Sequence, residues 1–211
     1  DKVAALPLIA EPGSQWNYSI STTVLGRIVE VVSGMAFDDY LRQHVFDPLQ
    51  MPHSGFYVPP ESLDQLVTVY RLTDQGMVSE PPMAIPITMD PPLLEGQLNG
   101  RQVLSAESVA AMTQNQLSDE LLPIMLSPPN PMADLGWGYG FSVVIDASQS
   151  PFFRNNGEFG WNGSLGTFSW ADPETGLSAV LMLQIQPSGA FNLSALFKSL
   201  VWAAINTESG I

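Results

Sequence analysis

Between positions 21 and 33 the apolar residues Val24, Leu25, Ile28, Val29 and Val32 recur at helical spacing, and Gly34 stands where a C′ glycine belongs. The pattern predicts a helix from about Ser21 to Ser33. Phe37, Tyr40, Leu41 and Val45 share one face of a second predicted helix, Phe37 to Phe46, with Pro48 just past its end. The short link makes these two a helical hairpin. Ser105 is placed to cap a short helix containing Val109 and Met112. Leu193, Leu196, Phe197, Leu200, Val201 and Ala204 form a continuous stripe, which predicts a helix from about Leu193 to Ile205 that packs on a sheet.

After a proline-rich connection at Pro123, Pro128, Pro129 and Pro131 the period changes. Phe141, Val143 and Ile145 alternate with Ser142, Val144 and Asp146, predicting a strand near 139–146. A second strand near 164–171 and an apolar run at 177–186 flank Asp172-Pro173-Glu174-Thr175-Gly176, a hairpin turn with proline preset for the bend and glycine free to take positive φ. The stretch from Pro59 to Pro92 is proline-rich with weak periodicity and reads as a long ordered loop or lid-like excursion. No internal repeat is evident. Helices followed by an antiparallel meander with a helix over one face make the expected class α+β.

The length of 211 residues and the 45% apolar content suffice for a real core. Seven basic against 21 acidic residues give a net charge of −14, a field that repels phosphate backbones and anionic headgroups. Nucleic acid and membrane surfaces are therefore not expected partners. The best apolar run, Ala179 to Leu183, is broken by Gln184 and falls far short of the roughly 20 residues of a spanning helix. With no cysteine, and with only His44 and His53, no metal centre or other cofactor is expected. The two histidines read as a surface helix residue and a loop residue. Asp1 to Leu6 lacks the basic and apolar regions of a signal peptide, and the compartment stays open between cytoplasm and periplasm. Only 13% of residues are charged, about half of the roughly 25% usual in soluble domains. An unusual share of the surface is thus expected to be covered by something else.

A nucleophilic serine needs a neighbouring base. No Gly-x-Ser-x-Gly elbow occurs; Asn162-Gly163-Ser164-Leu165-Gly166 comes nearest, with asparagine in place of the first glycine. No Ser-x-x-Lys occurs either, since Ala195 stands three places before Lys198. Composition and spacing alone stop at an acidic α+β chain without a complete active site. Two segments nevertheless look like parts of one. In Glu11-Pro12-Gly13-Ser14-Gln15-Trp16-Asn17-Tyr18-Ser19-Ile20 a tyrosine lies between a Pro-Gly turn and a helix, and in Phe159-Gly160-Trp161-Asn162-Gly163-Ser164-Leu165-Gly166-Thr167 small residues let a substrate approach the backbone.

Read in order with Leu25-Gly26-Arg27, Val45-Phe46-Asp47-Pro48-Leu49, Val103-Leu104-Ser105, Gly136-Trp137-Gly138-Tyr139-Gly140 and Ala171-Asp172-Pro173, these segments resemble the serine β-lactamase and penicillin-binding-protein superfamily. The closest likeness is to class C-like β-lactamases and family VIII carboxylesterases. The resemblance implies a β-lactamase/transpeptidase-like fold, with an antiparallel sheet, flanking helices and part of a helical domain. It divides the chain into a mainly helical and loop portion at 1–134 and the strands and C-terminal helix of the sheet domain at 135–211.

The resemblance also implies roles. Tyr18 matches the tyrosine of Tyr-x-Asn, a general acid/base for the serine. A phenol in water titrates near ~10, so the family supplies a cation beside it, the lysine of Ser-x-x-Lys. Trp161, Asn162 and Gly163 match the third motif, which contacts substrate, and the backbone N–H of Ser164 matches an oxyanion-hole donor. Three departures stand out. Ile20 replaces the asparagine of Tyr-x-Asn; Trp161 replaces the lysine that attracts a β-lactam carboxylate; and the nucleophilic serine with its lysine is absent. The first two favour neutral esters over anionic β-lactams. The third implies that the chain is the C-terminal portion of a longer or cleaved protein, whose N-terminal segment is its expected partner, along with a small-molecule ester or β-lactam. A further gap is expected at the Pro92–Leu93 junction. The implied activity is acyl-enzyme hydrolysis of esters, or of β-lactams and amides; the alternatives are a non-catalytic module binding peptide or cell-wall fragments, and a D-peptidase.

Overall fold

Gly34 ends helix α1 (Ser21–Ser33) in the left-handed conformation, φ 71°, and donates its N–H to the Glu30 carbonyl over 2.9 Å, as the sequence pattern requires. The structure is a computed structural model that describes residues 3–80, 97–98, 101–127 and 129–208. Helix α2 (Phe37–Leu41) continues as a π-helical turn, Arg42–Phe46, so the second helix spans its expected length with a widened end. Gly26 is buried against α2, and a Cβ there would stand 3.2 Å from the Phe37 ring. That missing methyl lets the two helices close on each other. Ser105 caps α3 (Ala106–Met112) by accepting the Ser108 N–H over 3.2 Å.

The stretch expected as a loop at 59–92 contains regular structure. A 3₁₀ turn, Pro60–Gln65, leads into strands β1 (Val69–Thr73) and β2 (Gly76–Glu80), an antiparallel hairpin turned at Gly76 with φ 107°. Prolines at both ends masked its weak alternation, since only Val69 in β1 is buried. The expected gap at Pro92–Leu93 lies outside the described residues. Short antiparallel pairs follow: β3 (Gln97–Leu98) with β4 (Arg101–Gln102), and β5 (Ile124–Ser127) with β6 (Asn130–Met132).

The main sheet has five antiparallel strands in meander order: β7 (Leu135–Trp137), β8 (Ser142–Val144), β9 (Phe159–Asn162), β10 (Phe168–Asp172) and β11 (Leu177–Leu181). Three expected strands shorten. The one near 139–146 begins only at Ser142, because Gly140 takes φ 100° and Gly138 donates its N–H to the Phe141 carbonyl over 2.8 Å. The one near 164–171 begins at Phe168, after a turn. The run at 177–186 stops at Leu181, and Ile185–Gln186 forms β12, which crosses to pair in parallel with β1. The turn between β10 and β11 is as expected: Gly176 has φ 71° and donates to the Asp172 carbonyl over 2.9 Å. Asp172 is fully buried, and its carboxylate accepts the Glu174 N–H, the Thr175 hydroxyl and the Asn155 amide.

Helix α4 (Leu193–Glu208) lies on the sheet, with Phe197 edge-on to Trp170 and Trp202 edge-on to Phe153. It runs one turn past its expected end. One core cluster joins Ile124, Leu135 and Val144, and a second joins Val143, Phe159 and Ala171. No helix among the described residues is long and apolar enough to cross a membrane. The α1 face bearing Leu25, Ile28, Val31 and Val32 is exposed.

Candidate active site

Four aromatic rings meet where the segment before α1 reaches the ends of β7 and β9. Trp16 and Trp137 pack on the Ile124–Leu135–Val144 cluster and form the floor. Their centroids lie 5.3 Å apart in an edge-to-face contact. Tyr18 follows Trp16 at period two, which keeps both on the same side of an extended segment, and its ring lies 6.3 Å from Trp16. Trp161 on β9 approaches from the sheet, 4.6 Å from Trp137 at 81° and 5.7 Å from Tyr18. The Trp161 indole N–H donates to the Tyr18 phenol oxygen over 3.0 Å. Tyr18 is still 58% exposed. Ile20, at the N-cap of α1, offers no side-chain cap and no amide.

Beyond Trp161 the chain turns back at once. Gly163 donates its N–H to the Thr167 carbonyl over 2.7 Å, and its own carbonyl accepts the Gly166 N–H over 3.1 Å. This makes Gly163-Ser164-Leu165-Gly166 a β-turn, with Gly166 at φ 88°. Buried Leu165 anchors the turn, and its carbonyl accepts the Ile185 N–H over 2.8 Å. Ser164 is exposed, and its N–H has no acceptor among the described residues. Asn162 is exposed as well.

The structure thus joins Tyr18 directly to Trp161 and sets Asn162, Gly163 and Ser164 in the turn that continues the same strand. It brings in Trp16 and Trp137, which sequence reasoning did not place in the site. Their signal was present, Trp16 two positions before Tyr18 and Trp137 between glycines, but each also reads as a core aromatic. His44 lies against Tyr40 instead, the two rings tilted at 38° with centroids 4.5 Å apart.

Trp161 and Asn162 also border a cavity of about 140 Å³ between the sheet and α4, into which Arg154, Glu158 and Lys198 project. Both cations are engaged. Arg154 contacts Asp134 at 3.0 Å, and Lys198 pairs with Glu158 while lying 5.1 Å from the Trp170 ring centroid. Burial pushes the Glu158 carboxyl above and the Lys198 ammonium below their ordinary values, and each partner offsets part of the other's shift.

A family model described as Beta-lactamase matches residues 1–198. Protein Rv1367c of Mycobacterium tuberculosis (strain ATCC 25618 / H37Rv) is 29% identical over 218 residues, which cover 92% of this chain and 54% of that protein. The chain therefore spans about half the length of this curated relative. Simvastatin synthase LovD from Aspergillus terreus, in its LovD6 mutant, has a TM-score of 0.77 at 19% identity over 96% of this chain and 58% of its own. EstCE1, a hydrolase with promiscuous acyltransferase activity, has a TM-score of 0.67 at 21% identity over 87% of this chain and 55% of its own. These likenesses establish an α+β fold of the β-lactamase/transpeptidase-like type. With the family match extending over nearly all of its length, the chain belongs to the Beta-lactamase family.

Proposed function

We propose that the protein is a serine hydrolase acting through an acyl-enzyme on neutral carboxylic esters, with its nucleophilic serine and lysine supplied by a part of the protein outside this sequence. The observation that carries this reading is the Trp161–Tyr18 hydrogen bond. It ties an exposed phenol to an uncharged aromatic wall. Arg154 and Lys198, the cations nearest along the adjoining cavity, are already paired with Asp134 and Glu158. Such a wall favours an uncharged ester over a carboxylate-bearing β-lactam.

In the proposed reaction the serine oxygen adds to the ester carbonyl while the Tyr18 oxygen, in the anionic form held by the lysine of Ser-x-x-Lys, takes the serine proton. Tyr18 then passes that proton to the departing alcohol as the C–O bond breaks and leaves the acyl-enzyme. Water adds to the acyl carbon, its proton returns to the serine through Tyr18, and the acid leaves. The oxyanion formed in each addition accepts the Ser164 N–H. The exposed apolar face of α1 and the low charge content support docking of the remaining segment of the same protein against this chain.

A fluorophosphonate label on the full-length protein, followed by peptide mapping, tests the reading. The expected result is a label on the serine of a Ser-x-x-Lys peptide, together with hydrolysis of a p-nitrophenyl ester. A protein that takes no label and hydrolyses no ester would leave a binding module instead.

A further inference from the structure

We propose that Trp137 is the positioning residue of this site: it carries the rigidity of the core to the Tyr18–Trp161 pair and holds the phenol oxygen where it exchanges protons. The inference rests on the proposed function above and adds a residue to it. Trp137 touches all three other rings of the box, at 4.6 Å from Trp161, 5.3 Å from Trp16 and 6.1 Å from Tyr18. It meets both Trp161 and Tyr18 near the perpendicular, at 81° and 79°, the arrangement in which a ring edge meets a ring face. Tyr18 makes as many ring contacts but is mostly exposed, whereas Trp137 packs on Ile124, Leu135 and Val144.

The backbone of Trp137 is held on both sides. Its N–H donates to the Asn115 side-chain oxygen over 3.1 Å, and its carbonyl accepts the Gln116 N–H over 2.8 Å. Asn115 is itself locked, because its amide donates to the Leu117 carbonyl over 3.0 Å and its oxygen accepts the Leu117 N–H over 3.2 Å. Gly136 completes the fit, since a Cβ at that position would overlap the Asn115 side chain. A polar clamp thus fixes the Trp137 Cα, and the indole passes that placement to the two residues joined by the exposed hydrogen bond. Without the Trp137 ring, the Trp161–Tyr18 hydrogen bond loses the shared wall that holds it closed against solvent.

Trp137→Ala and Trp137→Phe in the full-length protein test this. In Trp137→Ala, kcat for a p-nitrophenyl ester is expected to fall at least about tenfold with KM within about twofold, since a misplaced catalytic group costs the chemical step rather than ground-state binding. Trp137→Phe keeps an edge-to-face ring and is expected to recover most of kcat. A second readout needs no activity: the Trp161 indole N–H resonance, assigned by its loss in Trp161→Phe, loses its protection from solvent exchange in Trp137→Ala and keeps it in Trp137→Phe. Unchanged protection in Trp137→Ala overturns the inference, as does a rise in KM alone, which would make Trp137 a substrate wall. If the wild-type protein takes no fluorophosphonate label, the proposed function fails and the exchange measurement alone decides the role of Trp137.

Discussion

The indole of Trp161 reaches across 143 positions of chain to donate its single N–H to the phenol oxygen of Tyr18, over 3.0 Å. A phenol oxygen that accepts from a fixed indole keeps a lone pair directed elsewhere, and the same N–H steadies it when it carries negative charge, which suits an acid/base group. Tyr18→Phe keeps the ring contacts with Trp16, Trp137 and Trp161 and deletes only that oxygen. Ester turnover in the full-length protein is expected to fall at least ~10²-fold, the usual loss for a general acid/base group. A kcat/KM near that of the wild type would remove Tyr18 from the reaction.

Trp161→Lys tests the specificity argument at the same contact. A lysine there still carries N–H donors and adds a cation where the native wall has none. A charge-assisted hydrogen bond to a substrate carboxylate contributes roughly 1.5–3 kcal/mol, so the ratio of β-lactam to ester kcat/KM is expected to rise about tenfold or more. An unchanged ratio would mean that the uncharged wall does not set the preference.

Ser164 is expected to act through its backbone, and its side chain separates that role from any other. Ser164 occupies the second position of the turn from Gly163 to Gly166, where proline is tolerated. Ser164→Pro removes the N–H and is expected to lower kcat by ~10²–10³, the loss found when one oxyanion donor is deleted. Ser164→Ala keeps the N–H and loses far less. Equal losses in the two variants, measured with matched urea midpoints, would assign the effect to the hydroxyl instead.

Features set by local chemistry were readable from the sequence, and features set by distant pairing were not. Gly34 after a periodic apolar stripe and Pro173 before Gly176 announce a helix end and a hairpin because the conformations they permit are local. The β1–β2 hairpin escaped because its only buried β1 residue is Val69 and its sheet is completed by β12, from the far end of the chain. The candidate site divides in the same way. Tyr18, Trp161 and the turn through Ser164 were legible through a resemblance in motif order. The aromatic floor was not, since Trp16 and Trp137 come beside Tyr18 only on folding. The Glu158–Lys198 pair has no sequence signature either; its partners stand just before β9 and on α4, 40 positions apart.

That pair offers a test of what the contact between sheet and α4 contributes. Both side chains are nearly inaccessible, at 5% for Glu158 and 4% for Lys198. Removing one partner, as in Lys198→Met, leaves a buried carboxylate without its cation and is expected to cost about 3–5 kcal/mol. Replacing both, as in Glu158→Leu with Lys198→Met, is expected to be neutral or stabilising, because burial opposes the charged form of each group. The pH dependence follows from the directions of the shifts. A carboxyl raised by burial contributes stability that is present in acid and lost as pH rises through its folded value. An ammonium lowered by burial contributes stability that is present in alkali and lost as pH falls through its folded value. Between those two values the native pair is at its greatest disadvantage. The double variant's gain over the wild type, read from urea midpoints of the full-length protein, is therefore expected to peak near neutral pH and to narrow toward both extremes. A gain that is flat across pH would show that neither group titrates differently in the folded state, and that the contact between α4 and the sheet rests on packing around Trp170 and Phe197 alone.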